Sequence, residues 1–263
     1  MLLISNKSIR LAAGALETLS FLSLKLLWRT RPGWRAFSGR VFRDYMSLAR
    51  EGRWRSRSID ELFPGQQSTR LTLEYLKGEG IHTPADELVY LAFVTAALRP
   101  RQIFEIGTFR GRTALNFALN SPAECVIHTL DLPSDDRVAA AQATNAADRG
   151  IIGQSQTGID YQGKPEAAKI RQLFGNSLTF DYSPYAGRMD LVFVDGAHHY
   201  EAAHSDTRNA LRMLAPNGVI LWHDFANYGD YNDVTRAVLA TLPGRAVVQI
   251  GSSQLAFYQQ KPS

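Results

Sequence analysis

Apolar and polar positions change their rhythm twice along this chain. Over residues 9–27, Ile9, Ala12, Ala13, Leu16, Leu19, Leu22, Leu26 and Leu27 recur at helical spacing, with Arg10, Glu17 and Lys25 off the stripe. From about residue 80, short apolar runs alternate with helical patterns. "HTPADELVYLAFVTAAL" predicts a helix with Thr83 as N-cap, Pro84 at the first helical position and Asp86 completing a capping-box-like pattern. "RQIFEIG" predicts a strand ending at Glu105, and "GRTALNFALN" the helix behind it. "CVIHTLDL" is a second strand ending at Asp131, "AKIRQLFGNS" a less apolar third, and "MDLVFVDG" a fourth. "YEAAHSDTRNALRML" is a helix stopped by "APNG", "VILWHDF" a fifth strand and "DVTRAVLATL" a further helix. "AVVQIGSSQLAFYQQ" reads as two strands joined by Gly251, Ser252 and Ser253.

Strand–helix alternation of this kind predicts an α/β fold: a doubly wound, mostly parallel, seven-stranded sheet of Rossmann-like type, closed by a C-terminal antiparallel hairpin. The expected organisation is a helical extension over residues 1–78 and the α/β domain over 79–263. In such sheets ligands bind beyond the carboxyl ends of the strands. Glu105, Asp131, Asp195, His223 and Asp224 all stand at strand ends, so they should share one rim.

Composition adds three constraints. The apolar fraction of 45% and charged fraction of 21% are those of a globular protein with a full core. Cys125 is the only cysteine, which excludes an internal disulfide and fits a reducing, cytoplasmic setting. The net charge of +4 is unevenly spread: residues 1–57 hold twelve Lys or Arg against three Asp or Glu, and the remainder is acidic.

Glu17 and Lys25 interrupt the apolar run, which argues against a spanning helix and against a cleaved signal peptide. With Trp28 and Trp34 among Arg29, Arg31, Arg35, Arg40 and Arg43, the arm has the make-up of a helix lying on an anionic membrane face. A helix packed on protein, the main domain or a second copy, is the other reading. No base-reading motif accompanies the charge, so no nucleic-acid partner is expected.

"EIGTFRG" places Gly107 and Gly111 between a strand and a helix, where backbone can approach a ligand and helix N–H groups face it. The spacing is not that of a dinucleotide site or a P-loop. Asp131, at the next strand end, has the position of a carboxylate that accepts from ribose hydroxyls.

Together "FEIGTFRG", "LDL", "DLVFVDGAHHY" and "NGVILWHDF" resemble the class I S-adenosylmethionine-dependent methyltransferases over residues 80–260, in particular a bacterial, O-methyltransferase-like subgroup. The resemblance implies that Glu105, Gly107, Thr108 and Gly111 surround the methionine part of S-adenosylmethionine, with Asp195 nearby. It implies Asp131 at the ribose and Asn176 and Ser177 at the adenine.

Methyl transfer to a hydroxyl needs a proton removed, by a positioned base or by a metal that acidifies the hydroxyl. The resemblance to metal-dependent O-methyltransferases implies His198 as base, three residues beyond Asp195. It implies Asp195, His223 and Asp224 as ligands of a divalent metal, magnesium, manganese or iron. His199 either touches substrate or begins the helix; His128 and His204 read as structural, and His82 as part of a helix start. The long connection after Asp131, which includes Arg149 and Tyr161, is a substrate lid or a surface insertion.

The leading expectation is an O-methyltransferase acting on a small molecule, sugar or glycolipid. Two rivals stand beside it. One is a metal-dependent hydroxylase on the same fold, with Asp195, His198 and His223 around iron. The other is a non-catalytic cofactor-binding protein that recruits partners.

Overall fold

The computed structural model describes residues 55–76, 83–133, 136, 156–226, 232–242 and 246–260. The chain divides into two units, 1–49 and 50–263. The amphipathic helix expected at 9–27 and most of the basic arm lie outside the described residues, as do His82 and Arg149.

Period-2 burial explains the sheet. In β2 (Gln102–Ile106), Phe104 and Ile106 face one layer while Ile103 faces the other. β5 (Met189–Val194) and β6 (Leu214–Trp222) repeat this, with Val192, Val194, Ile220 and Trp222 opposed to Leu191, Phe193, Val219 and Leu221. Strands buried on both faces read as continuous apolar runs, which is why they were visible in the sequence. The first layer is closed by α4 (Tyr200–Met213) and α5 (Asn232–Thr241) through Ala203, Ala210, Met213, Ala237 and Val238. The second is closed by α2 (Ala85–Leu98) and α3 (Arg112–Asn120) through Leu91, Val94, Leu115 and Phe117.

With β1 (Ser56–Arg57), β3 (Val126–Asp131), β4 (Ile170–Phe174), β7 (Val248–Ile250) and β8 (Ala256–Gln259), the order is β1-β7-β8-β6-β5-β2-β3-β4. β8 runs antiparallel to β6 and β7; the other pairs are parallel. The expected mostly parallel sheet with an antiparallel C-terminal hairpin is present, and an eighth strand is added. That strand is β1 (Ser56–Arg57), two exposed residues with no apolar pattern, paired with Gln249 and Ile250. A short helix, α1 (Ile59–Leu62), follows under a Ser58–Glu61 capping box.

Residues 72–76 are strapped to α3. Asn120 exchanges two hydrogen bonds with the backbone of Thr72, and Asn116 does the same with Glu74. Arg112 donates to the carbonyls of Tyr75 and Thr83. The three side chains stand four residues apart, on one helix face. Residues 55–76 therefore belong to the sheet unit. At the start of α2 the cap is Pro84, not Thr83, and no side chain caps the helix; the first four N–H groups of a helix lack intrahelical partners, so a chain entering through proline gives up little.

Candidate active site

Because β6, β5, β2 and β3 are adjacent and parallel, their carboxyl ends form one edge. Two neighbouring groups of side chains stand on it.

The first surrounds the turn after β2. Gly107 has φ +99°, and a Cβ there would lie 1.9 Å from the Asp195 carbonyl oxygen, so only glycine lets the two backbones meet. Asp195 N–H in turn donates to the Ile106 carbonyl at 2.8 Å. Asp131, at the end of β3, accepts from Phe109 N–H at 3.0 Å and Leu132 N–H at 2.8 Å, so its carboxylate faces the turn. Glu105 is fully buried; Thr129 donates to its Oε2, while Oε1 has no hydrogen-bond partner. Burial pushes the Glu105 carboxyl well above the ordinary carboxylate range; the Thr129 hydrogen bond opposes this, and Asp195 and Asp131 reinforce it.

The second group lines a pocket between the ends of β5 and β6. Asp224 Oδ2 lies 2.9 Å from His198 Nε2 and 2.9 Å from His223 Nδ1, which is also 3.3 Å from Asp195 Oδ1. Asp224 has φ +56°, an unfavourable backbone state for a non-glycine residue that its two imidazole contacts help to hold. Burial alone would raise its pKa, but the charge of His223 and hydrogen bonds from both histidines hold it far below the carboxylate range. For His223, burial opposes protonation and is outweighed by Asp224 and Asp195, so its pKa stands well above the usual imidazole value. Among the described residues, Asp195, His198 and Asp224 alone form a group whose ligand atoms all lie within 4.8 Å of one another.

Sequence reasoning missed one member. Glu87 of α2 is buried; its Oε2 lies 2.8 Å from His223 Nε2, and its Oε1 accepts from Gln254 N–H at 2.6 Å. The available signal was its position four residues before Leu91 and eight before Thr95, on the helix face that is buried. His223, expected as a metal ligand, thus has one nitrogen engaged by Glu87, and His198 completes the ligand group with the two aspartates.

Asn176 and Ser177 follow β4, one strand beyond Asp131. Asn176 Oδ1 accepts from Leu178 N–H, an Asx turn within its own loop. His199 is the N-cap of α4 but makes no side-chain cap bond, and its Nδ1 is buried without a partner. His128 stacks on Phe104 and meets Tyr185 edge-on, and His204 stacks on Tyr200, both as packing residues.

Residues 104–225, which span both groups, match a family model described as a methyltransferase domain. That stretch is thus similar to methyltransferase domains. Solved structures similar to this chain include cofactor-bound Rv0187 from MTB, at 16% identity and TM-score 0.48, covering 84% of this chain and 90% of that one. The O-methyltransferase TomG from Streptomyces achromogenes shares 17% identity at TM-score 0.47, covering 80% and 97%. An O-methyltransferase from Bacillus cereus shares 14% at TM-score 0.43, covering 70% and 83%. No curated protein matches the chain. No helix among the described residues is long and apolar enough to cross a membrane.

Proposed function

We propose that this chain is a methyltransferase that moves a methyl group from S-adenosylmethionine to a hydroxyl oxygen of a small-molecule, sugar or glycolipid acceptor, with His198 as general base. The observation that carries this reading is the buried His198–Asp224 pair beside Asp195. An ionised Asp224 beside His198 Nε2 orients the imidazole ring and stabilises it once it takes up a proton. In the transfer, the acceptor oxygen bonds to the methyl carbon as the carbon–sulfur bond breaks. The hydroxyl proton passes to His198, and the thioether leaves with the electron pair. The first group of residues suits the donor: a carboxylate at the β3 exit facing the glycine turn, and a buried Glu105 oxygen open to a hydrogen-bonding partner.

The test is His198→Ala against a panel of hydroxyl acceptors, with S-adenosylhomocysteine affinity measured by calorimetry. Turnover should fall by about 10²- to 10⁴-fold with affinity nearly unchanged. Unchanged turnover removes His198 as the base, and a wild-type protein that binds neither donor nor product removes the donor reading.

A divalent ion is a second reading of the same pocket, favoured by the ligand atoms of Asp195, His198 and Asp224. A set of two carboxylates and an imidazole suits manganese or iron better than magnesium. Bound there, the ion would acidify an acceptor hydroxyl. This reading expects purified protein to carry manganese or iron near one equivalent and Asp195→Asn to lose it; metal-free protein with full turnover excludes it.

A further inference from the structure

We propose that Tyr161 is a positioning residue for the donor site: through a one-way chain of buried hydrogen bonds it sets the orientation of the Glu105 carboxyl. The segment that carries it follows the long connection after β3, and it clasps the glycine turn. Gly158 N–H donates to the Phe109 carbonyl at 3.0 Å, and Asp160 N–H to the Arg110 carbonyl at 2.9 Å. The Asp160 carboxylate pairs with Arg110 at 2.8 Å, and Thr157 Oγ1 reaches Asp131 Oδ2 at 3.4 Å. The Tyr161 ring covers Gly111, where a Cβ would lie 2.5 Å from it.

From Tyr161 the donors run in one direction. Its hydroxyl donates to Gln172 Oε1 at 2.5 Å. Gln172 Nε2 donates to Thr108 Oγ1 at 3.1 Å, and Thr108 and Thr129 hydroxyls lie 2.6 Å apart. Thr129 gives its proton to Glu105 Oε2, so Thr108 must be the donor to Thr129. Each hydroxyl in the chain has its single proton committed forward, and the Gln172 amide spends its two protons on Thr108 Oγ1 and the neighbouring Thr129 and Leu173 carbonyls. Glu105 therefore receives on Oε2, and Oε1, buried and without a partner, is the oxygen presented for a further bond. An ammonium group, such as that of the amino-acid end of the donor, has the chemistry to meet it.

This inference rests on the donor reading above, and the experiment separates the two. Binding of S-adenosylhomocysteine and of 5′-methylthioadenosine, which lacks the amino-acid end, is measured by calorimetry for wild type, Tyr161→Phe and Thr129→Val. Tyr161→Phe keeps the ring on Gly111 and removes only the first donor; Thr129→Val removes the last and leaves the clasp intact. Both should weaken S-adenosylhomocysteine by roughly tenfold, the scale of one misdirected hydrogen bond to a charged group. Methylthioadenosine affinity should change less than about twofold. Equal losses for both ligands would mean a general loss of structure and overturn the proposal, as would unchanged S-adenosylhomocysteine binding in either variant. Wild type that binds neither ligand would overturn the donor reading as well.

Discussion

Asp206 offers a measurement that needs no acceptor. It lies on α4 with no solvent exposure, beneath the turn that follows Asp195; a Cβ at Gly196 would lie 3.1 Å from its Oδ2. Burial pushes its pKa up to about 7, with the Ser177 side chain pulling the other way. In an unfolded chain the same carboxyl titrates near its ordinary value of 3.8. Below that value Asp206 is neutral in both states and costs nothing. Between the two values the unfolded state releases the proton first, so stability falls as pH rises, and above about 7 the full penalty is present. A gap of about three pH units corresponds to about 4 kcal/mol. Asp206→Asn, neutral at every pH and nearly the same shape, removes that dependence. Urea unfolding at pH 4.5 and pH 8 should show the variant near wild type in acid and more stable by up to about 4 kcal/mol at pH 8. Parallel stability curves for the two proteins across that range would refute the argument, because they would mean that Asp206 carries the same charge in both states.

Gly107→Ala places a methyl group where the Asp195 carbonyl stands, so thermal unfolding should shift down by several degrees and S-adenosylhomocysteine binding should fall below detection. Glu87→Ala leaves His223 without its Nε2 partner in a buried site and should cost about 3 kcal/mol in urea unfolding; a loss under about 1 kcal/mol would show that the pair is not held as described. A chain beginning at residue 79 loses β1 and the asparagine strap, so it should unfold at lower urea than one beginning at residue 55, and equal midpoints would make residues 55–76 dispensable.

The parts of this structure legible in the sequence are those with local signals. Central strands such as β2, β5 and β6 are buried on both faces and end abruptly in acids, so their exits, and hence Glu105, Asp131, Asp195 and Asp224, could be placed on one edge. What stayed hidden depends on long-range pairing. β1 has two exposed residues and exists only because Gln249 and Ile250 accept it. Glu87 meets His223 across 136 positions of chain, and as a carboxylate in the first turn of a helix it passes for ordinary charge placement near an N-terminus. Tyr161 stood among the polar and glycine residues of a long connection, with nothing nearby to show that its hydroxyl would find Gln172 beyond the next turn.

The backbone contact at Gly107 leaves no slack between the two halves of the rim. The loop that would cradle the donor and the loop that carries Asp195 abut without a side chain between them, and they are also tied by the Asp195 N–H bond to Ile106. A shift of either by even half an ångström must be taken up by the other, so the arrival of the donor would be felt at the carboxylates around His198. Variants selected for a new acceptor should therefore change donor affinity too, even when the substituted residue faces only the acceptor.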